Sequence, residues 1–126
     1  MAGRGKWILF VVVALIFIAL IFVSLLMNAF GKNYDEFAKC LTEKGFKEYA
    51  AYWCPHCANQ KKMFGDSFQY INSIECSTPD GRGQMQICKD AKIEGYPTWE
   101  FKDGSRLSGE LTIEQLASKS GCSLPN

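Results

Sequence analysis

The sequence predicts an α/β domain, with a central mixed sheet flanked by helices, tethered behind a single N-terminal transmembrane helix. Three observations lead there. Residues 7–23 ("WILFVVVALIFIALIFV") carry no charge. The remainder of the chain alternates strand-like and helix-like segments, the pattern of βαβ units. All six cysteines lie beyond the apolar run, and two of them stand two residues apart where a strand-like segment meets a helix-like one.

The apolar run continues to residue 30 with only Ser24 and Asn28 as polar interruptions. Roughly 24 residues at ~1.5 Å each reach ~36 Å, enough to cross a hydrocarbon core of ~30 Å. The apolar region of a signal peptide runs ~7–15 residues, and the one candidate cleavage site, Met27-Asn28-Ala29, has a bulky Met where a small residue is wanted. Residues 7–30 therefore read as an uncleaved anchor. A buried core helix would need a larger domain around it than the rest of the chain provides. Arg4 and Lys6 precede the span, and Lys32, Asp35 and Glu36 follow it. The flank at 1–6 has almost no length to translocate. It is expected in the cytoplasm, with the domain at 34–126 outside the plasma membrane behind a linker at 31–33.

Of the 14 Lys+Arg in the 126-residue chain, two precede the span, leaving 12 against 13 Asp+Glu. So near-neutral a domain offers no basic patch for nucleic acid. Its small size and even cysteine count, on the outer side of a membrane, read as a disulfide-bearing domain. Six cysteines allow fifteen pairings, so local chemistry has to choose among them.

Asn33 opens a helix over residues 33–45, with Glu36 three residues on, Phe37 and Leu41 on one face and Gly45 as its stop. Residues 46–53 form an aromatic-rich strand. A helix follows over 55–64, closed by Gly65. A second strand, "YINSIEC", lies within 68–76. "STPDGRG" is a loop with Pro79-Asp80-Gly81 at its tip. Residues 84–93 make a short helix. "YPTWEF" is a third strand, Asp103-Gly104 turns it, and "SRLSGE" returns as a hairpin partner. Thr112 and Gln115 form a capping box for a last helix over 112–119, ended by Gly121. The βαβ portion implies parallel strands, and the hairpin adds an antiparallel edge.

Cys54-Pro55-His56-Cys57 sits at the first strand-to-helix junction. Pro55 fits the first helical position, where its missing N–H is no loss. Cys54 then stands at the helix N-terminus, facing unpaired backbone N–H groups and the positive end of the helix dipole. The thiolate is favoured over the thiol there, and a protonated His56 adds to the effect. A stabilised thiolate favours the reduced dithiol, which makes the disulfide a stronger oxidant by about 30 mV for each ~1.4 kcal/mol. Cys57, one turn in, is expected to be the less exposed and to act as the resolving thiol. A haem attachment site would need His after the second cysteine, where Ala58 stands. Structural zinc needs four ligands, and Cys76 and Cys88 lack the close spacing of a second knuckle. A purely structural Cys54–Cys57 bond would close too short a loop to stabilise much. A redox pair remains. For His56, the one histidine of the chain, the plain alternative is a solvated side chain; between two cysteines it reads as tuning the pair.

Strand, "WCPHC", helix, then "YPTW" about 40 residues further on resembles the thioredoxin-like fold. In that family the proline of the second motif is cis and lies beside the disulfide, exposing the preceding backbone to a substrate strand. The implied positions are Pro97, with Tyr96 before it and Thr98 after it. "AYWCPHCANQKKMFG", "IECSTPDG" and "YPTWEF" are similar to the thioredoxin-like domain fused to bacterial homologues of vitamin K epoxide reductase. The Pro-His dipeptide resembles that of the periplasmic disulfide oxidants. The likeness covers about residues 46–121 and implies no metal or organic cofactor. Only one anchor accompanies the domain here, so a quinone-reducing partner is expected to be a separate membrane protein.

Glu48 matches the position where the resembling oxidoreductases keep a buried acid that accepts the resolving thiol's proton. Alternation puts Phe46, Glu48, Ala50 and Tyr52 on one side of the strand; the plain alternative is an exposed carboxylate at a strand start. The resembling domains also have cysteines at the positions of Cys76 and Cys88, which implies a structural disulfide or, as the alternative, a regulatory or relay pair. Joining them closes a loop of about 13 residues, worth roughly 3 kcal/mol in the chain-entropy model. Cys40 and Cys122 are left for each other, a pairing excluded if their Cα atoms lie more than about 7 Å apart. Trp53, beside Cys54, reads as part of an apolar landing surface for extended substrates, the alternative being a core aromatic.

These expectations describe a membrane-anchored oxidoreductase acting on protein thiols and disulfides. Cys54 forms the mixed disulfide, Cys57 resolves it, His56 tunes the pair and Glu48 handles a proton. Trp53, Tyr96, Pro97 and Thr98 hold the substrate strand. Oxidation of secreted proteins is the expected direction, with electrons passing to a membrane quinone reductase that resembles vitamin K epoxide reductase. A reductase or isomerase is the alternative within the class. A non-catalytic, chaperone-like binding module with a permanently closed cysteine pair is the alternative outside it.

Overall fold

The computed structural model describes residues 2–29 and 32–126. It divides into two units, Met1–Lys32 and Asn33–Asn126. The first holds one helix, α1 (Ala2–Ala29), whose stretch Gly5–Leu26 is long and apolar enough to cross a membrane. Phe30, the last residue of the expected span, and Gly31, the first of the expected linker, lie outside the described residues, as does Met1.

The second unit is built on a four-stranded sheet in the order β2-β1-β3-β4. β1 (Lys47–Ala50) runs parallel to β2 (Ser73–Glu75) and antiparallel to β3 (Thr98–Glu100), and β3 pairs antiparallel with β4 (Arg106–Ser108). This mixed sheet flanked by helices is the fold class read from the sequence. α2 (Asp35–Glu43), α3 (Pro55–Phe64) and α5 (Ile113–Ser120) bury Phe37, Leu41, Phe64, Ile113 and Leu116 in one core with Trp99 and Phe101. Phe37 stacks on Phe64 with ring centroids 6.1 Å apart. A second cluster joins Tyr49 to Cys76, Cys88 and Ile93, beside the short α4 (Gln86–Asp90). Strand alternation explains the division. Glu48 lies opposite Trp99 and Tyr49 opposite Thr98, so neighbours along β1 face different cores.

Local chemistry sets the element ends. α3 occupies the expected residues, with Pro55 first and Gly65 closing it at φ +57°, in the left-handed region that glycine enters at little cost. α5 begins with both hydrogen bonds of the Thr112/Gln115 capping box. Other elements are shorter than expected. β1 stops at Ala50 because the chain turns, the Cys54 N–H donating to the Ala51 carbonyl at 2.9 Å. Tyr52 and Trp53 thus sit in a turn and not on the strand. The second strand, expected from Tyr70, begins only at Ser73; Tyr70 instead ends a 3-10 helix, Gly65–Tyr70, in which Phe68 packs edge-on against Phe64. α2 begins at Asp35, whose N–H is accepted by Asn33 Oδ1 at 2.8 Å. Glu36 pairs with Lys39 instead of closing a capping box. α4 begins only at Gln86, because Gln84 is paired with Ser77 across an isolated antiparallel bridge.

Candidate active site

Cys54 immediately precedes α3. Its extended backbone (φ −78°, ψ 120°) brings its sulfur over the helix end, where Sγ accepts the Cys57 N–H at 3.4 Å. That N–H is one of the donors a helix start leaves without a backbone partner. Cys54 and Cys57 are free thiols, 5% and 7% exposed. Contrary to the sequence expectation, Cys57 is not the less exposed of the two. Tyr96 packs against the cluster that holds both, and the Cys54 thiol lies 3.6 Å from the Tyr96 carbonyl oxygen. Burial, reinforced by the hydrogen bond with Cys54, pushes the Cys57 thiol up to about 12.

The Tyr96-Pro97 peptide is cis. Pro97 is fully buried and Tyr96 half-buried. The Tyr96 backbone N–H has no hydrogen-bond partner among the described residues. Thr98 is turned into the fold, its Oγ1 donating to the Gly95 carbonyl at 2.8 Å and lying 3.0 Å from Ser108 Oγ. Trp53 is 54% exposed; its indole N–H donates to Ser77 Oγ at 2.8 Å and its ring meets Tyr96 edge-on, 6.0 Å between centroids. Tyr52, 62% exposed, donates its hydroxyl to the Pro79 carbonyl at 3.3 Å.

Glu48 lies opposite Trp99 and is wholly buried. Ser73 Oγ donates to its Oε2 at 2.9 Å, while Oε1 has no partner among the described residues. Burial pushes the carboxyl up to about 7, against the opposing pull of the Ser73 hydrogen bond and of Lys61. Glu48, Cys57 and Lys61 line one cleft of about 370 Å³. A larger cleft of about 780 Å³, lined by Phe46, Phe101 and Lys119, holds none of these groups.

Two contributors went unread in the sequence. His56 Nδ1 lies 2.6 Å from Glu110 Oε1, which also accepts from the Asn59 amide at 3.2 Å. These bonds hold the Glu110 carboxyl below its usual range, His56 having the larger effect. The two residues are 54 positions apart, and no local pattern links them. Gln60 is the other. From the buried side of α3, its Oε1 accepts the Trp99 indole N–H (3.2 Å) and the Leu111 N–H (2.8 Å), and its amide donates to the Leu111 carbonyl (2.9 Å). A polar residue in "CANQKK" gives no hint of burial. The remaining cysteines are joined as Cys40–Cys122 and Cys76–Cys88, with Cα atoms 6.1 Å and 5.5 Å apart.

No family model matches the chain. Among curated proteins it is 45% identical over 92 residues to thiol-disulfide oxidoreductase LTO1 of Arabidopsis thaliana, covering 69% of this chain and 24% of that protein. The likeness is to thioredoxin-like oxidoreductases. It extends to the thioredoxin domain-containing protein 5 homolog of Drosophila melanogaster, 30% identical over 96 residues (65% of this chain, 22% of that protein). It extends also to protein disulfide isomerase-like 2-1 of Oryza sativa subsp. japonica, 32% identical over 78 residues (56% and 21%). The chain spans less than a quarter of each relative. With the free cysteines at the start of α3, these similarities support a thiol–disulfide redox role.

Proposed function

We propose that the chain is a membrane-anchored, extracytoplasmic thiol–disulfide oxidoreductase with Cys54 and Cys57 as its redox pair. The observation that carries this reading is the Cys54 sulfur at the first turn of α3, accepting the Cys57 N–H and facing the Tyr96 carbonyl. N–H groups and the dipole at a helix start favour an anionic sulfur.

In the oxidising direction a substrate thiolate attacks Sγ of Cys54 in the closed Cys54–Cys57 bond. That bond breaks, Cys57 departs with the electron pair and takes a proton, and a mixed disulfide remains. A second substrate thiolate then attacks the substrate sulfur of the mixed disulfide, closing the substrate's own disulfide and releasing Cys54 as a thiolate. The substrate has lost two electrons and the cysteine pair holds them. Cys57, pushed up to about 12, holds its proton tightly, and Glu48, pushed up to about 7 in the same cleft, is suited to supply and recover it. The unpartnered Tyr96 N–H and the exposed Trp53 face offer an extended chain a backbone donor and an apolar surface. Pro97 and Thr98, both buried, hold that backbone from behind. His56, paired with Glu110, adds positive charge near the pair only when protonated.

The apolar α1 supports anchoring, and Arg4 and Lys6 before it favour the cytoplasm for that flank. The resemblance to domains fused to vitamin K epoxide reductase homologues supports recycling by a membrane quinone reductase of that kind. Likeness to a disulfide isomerase-like protein favours one second reading, in which the same pair reduces or reshuffles substrate disulfides.

Trapping tests the assignment. Cys57→Ser, offered a protein disulfide, should accumulate a mixed disulfide at Cys54, seen as the added mass of one substrate chain. Cys54→Ser should accumulate none. Trapping by neither variant, or equally by both, rejects Cys54 as the attacking residue.

A further inference from the structure

We propose that the disulfide-closed loop between Cys76 and Cys88 fixes the pose of the two aromatic rings beside Cys54, with Ser77 and Gln84 as the positioning residues. The claim rests on the reading of Cys54 as the site of exchange and goes beyond it, assigning substrate selection to side chains outside the redox motif.

Ser77 and Gln84 face each other across an antiparallel bridge. The Met85 N–H donates to the Cys76 carbonyl at 2.6 Å, and the Cys76–Cys88 bond ties the loop ends together. From this platform each bridge residue holds one ring. Ser77 Oγ accepts the Trp53 indole N–H at 2.8 Å. The Gln84 amide donates to the Tyr96 hydroxyl at 2.7 Å and to the Ile93 carbonyl at 2.8 Å. The rings so held meet edge-on, and the Tyr96 carbonyl is the one 3.6 Å from Cys54 Sγ.

Trp53 is more than half exposed, so core packing does not fix its ring; the hydrogen bond to Ser77 and the edge of Tyr96 do. Tyr52 leans on the same loop through Pro79, and a Cβ at Gly81 (φ +70°) would come within 2.9 Å of its hydroxyl. A wall of preset aromatic rings favours an extended polypeptide with an apolar side chain next to its reacting cysteine. Ordering the rings in advance removes that cost from binding. A small thiol such as glutathione does not reach across the wall and gains nothing from it.

The test uses the full chain in detergent micelles, with Ser77→Ala and Gln84→Met. One substrate is an extended peptide with a cysteine flanked by leucine and phenylalanine; the other is glutathione. The KM for the peptide should rise about five- to tenfold in each variant, the effect of losing the one hydrogen bond that holds each ring. The glutathione rate and the Cys54/Cys57 equilibrium should change less than twofold. An unchanged peptide KM in both variants overturns the proposal, as does a rise matched by an equal loss with glutathione. If the wild-type chain exchanges with neither substrate, the redox reading fails, and binding of the same peptide with serine for cysteine decides the remainder. About fivefold weaker binding by the variants supports the positioning role, and equal binding overturns it.

Discussion

His56 Nδ1 lies 2.6 Å from Glu110 Oε1, so the histidine between the two cysteines is paired with a carboxylate from the segment before α5. The charge that His56 presents to Cys54 is therefore partly cancelled. His56→Leu should make the Cys54/Cys57 disulfide less oxidising. We expect roughly a threefold change in the equilibrium with glutathione in the wild-type background and roughly tenfold, about 30 mV, in a Glu110→Gln background. Equal effects in the two backgrounds would show that Glu110 does not moderate His56.

Glu48 makes stability depend on pH. Its carboxyl is raised to about 7 in the fold, whereas in the unfolded chain it titrates near ~4.3. A raised folded value means the contribution is complete below the unfolded value and is lost as pH rises through the folded one. Stability should fall by about 3 kcal/mol between pH 5 and pH 8 through this group. Glu48→Gln should remove that slope and be the more stable protein at pH 8. Urea unfolding at both pH values checks it; a wild-type-minus-variant difference that stays constant with pH rejects the buried-acid assignment. The same variant should lose the limb near pH 7 in the pH profile of thiol exchange, and an unchanged profile rejects the proton-transfer role.

Gln60 ties α3 to Trp99 and to both backbone groups of Leu111. Gln60→Leu keeps most of the volume and leaves three buried polar groups unpaired. The expected cost is about 2–4 kcal/mol, a fall in Tm of roughly 10–20 °C for a domain of this size. Calorimetry showing a loss below about 1 kcal/mol would mean that water or rearrangement satisfies those groups.

The legible parts of the sequence were those whose physics is local. Pro55 and Gly65 mark the ends of α3, and Thr112 with Gln115 marks the start of α5, because caps act over three or four residues. The aromatic run after β1 misled, since Tyr52 and Trp53 have strand propensity but lie in the turn that delivers Cys54 to the helix. The second strand was expected too early for a related reason: Tyr70 has strand propensity but ends the 3-10 helix in which Phe68 packs on Phe64. Gln60, Glu110, Ser77 and Gln84 were invisible because their partners lie between 9 and 54 positions away, and only the fold brings them together.

The central claim is that Cys54 and Cys57 form an exchanging, oxidising couple, and its equilibrium with glutathione tests that most directly. Incubation across a range of reduced and oxidised glutathione, followed by acid quench and thiol alkylation, gives the fraction of each form. Ready equilibration at a potential above about −200 mV is the expected result. A bond that stays closed below about −300 mV, as structural disulfides do, would contradict it.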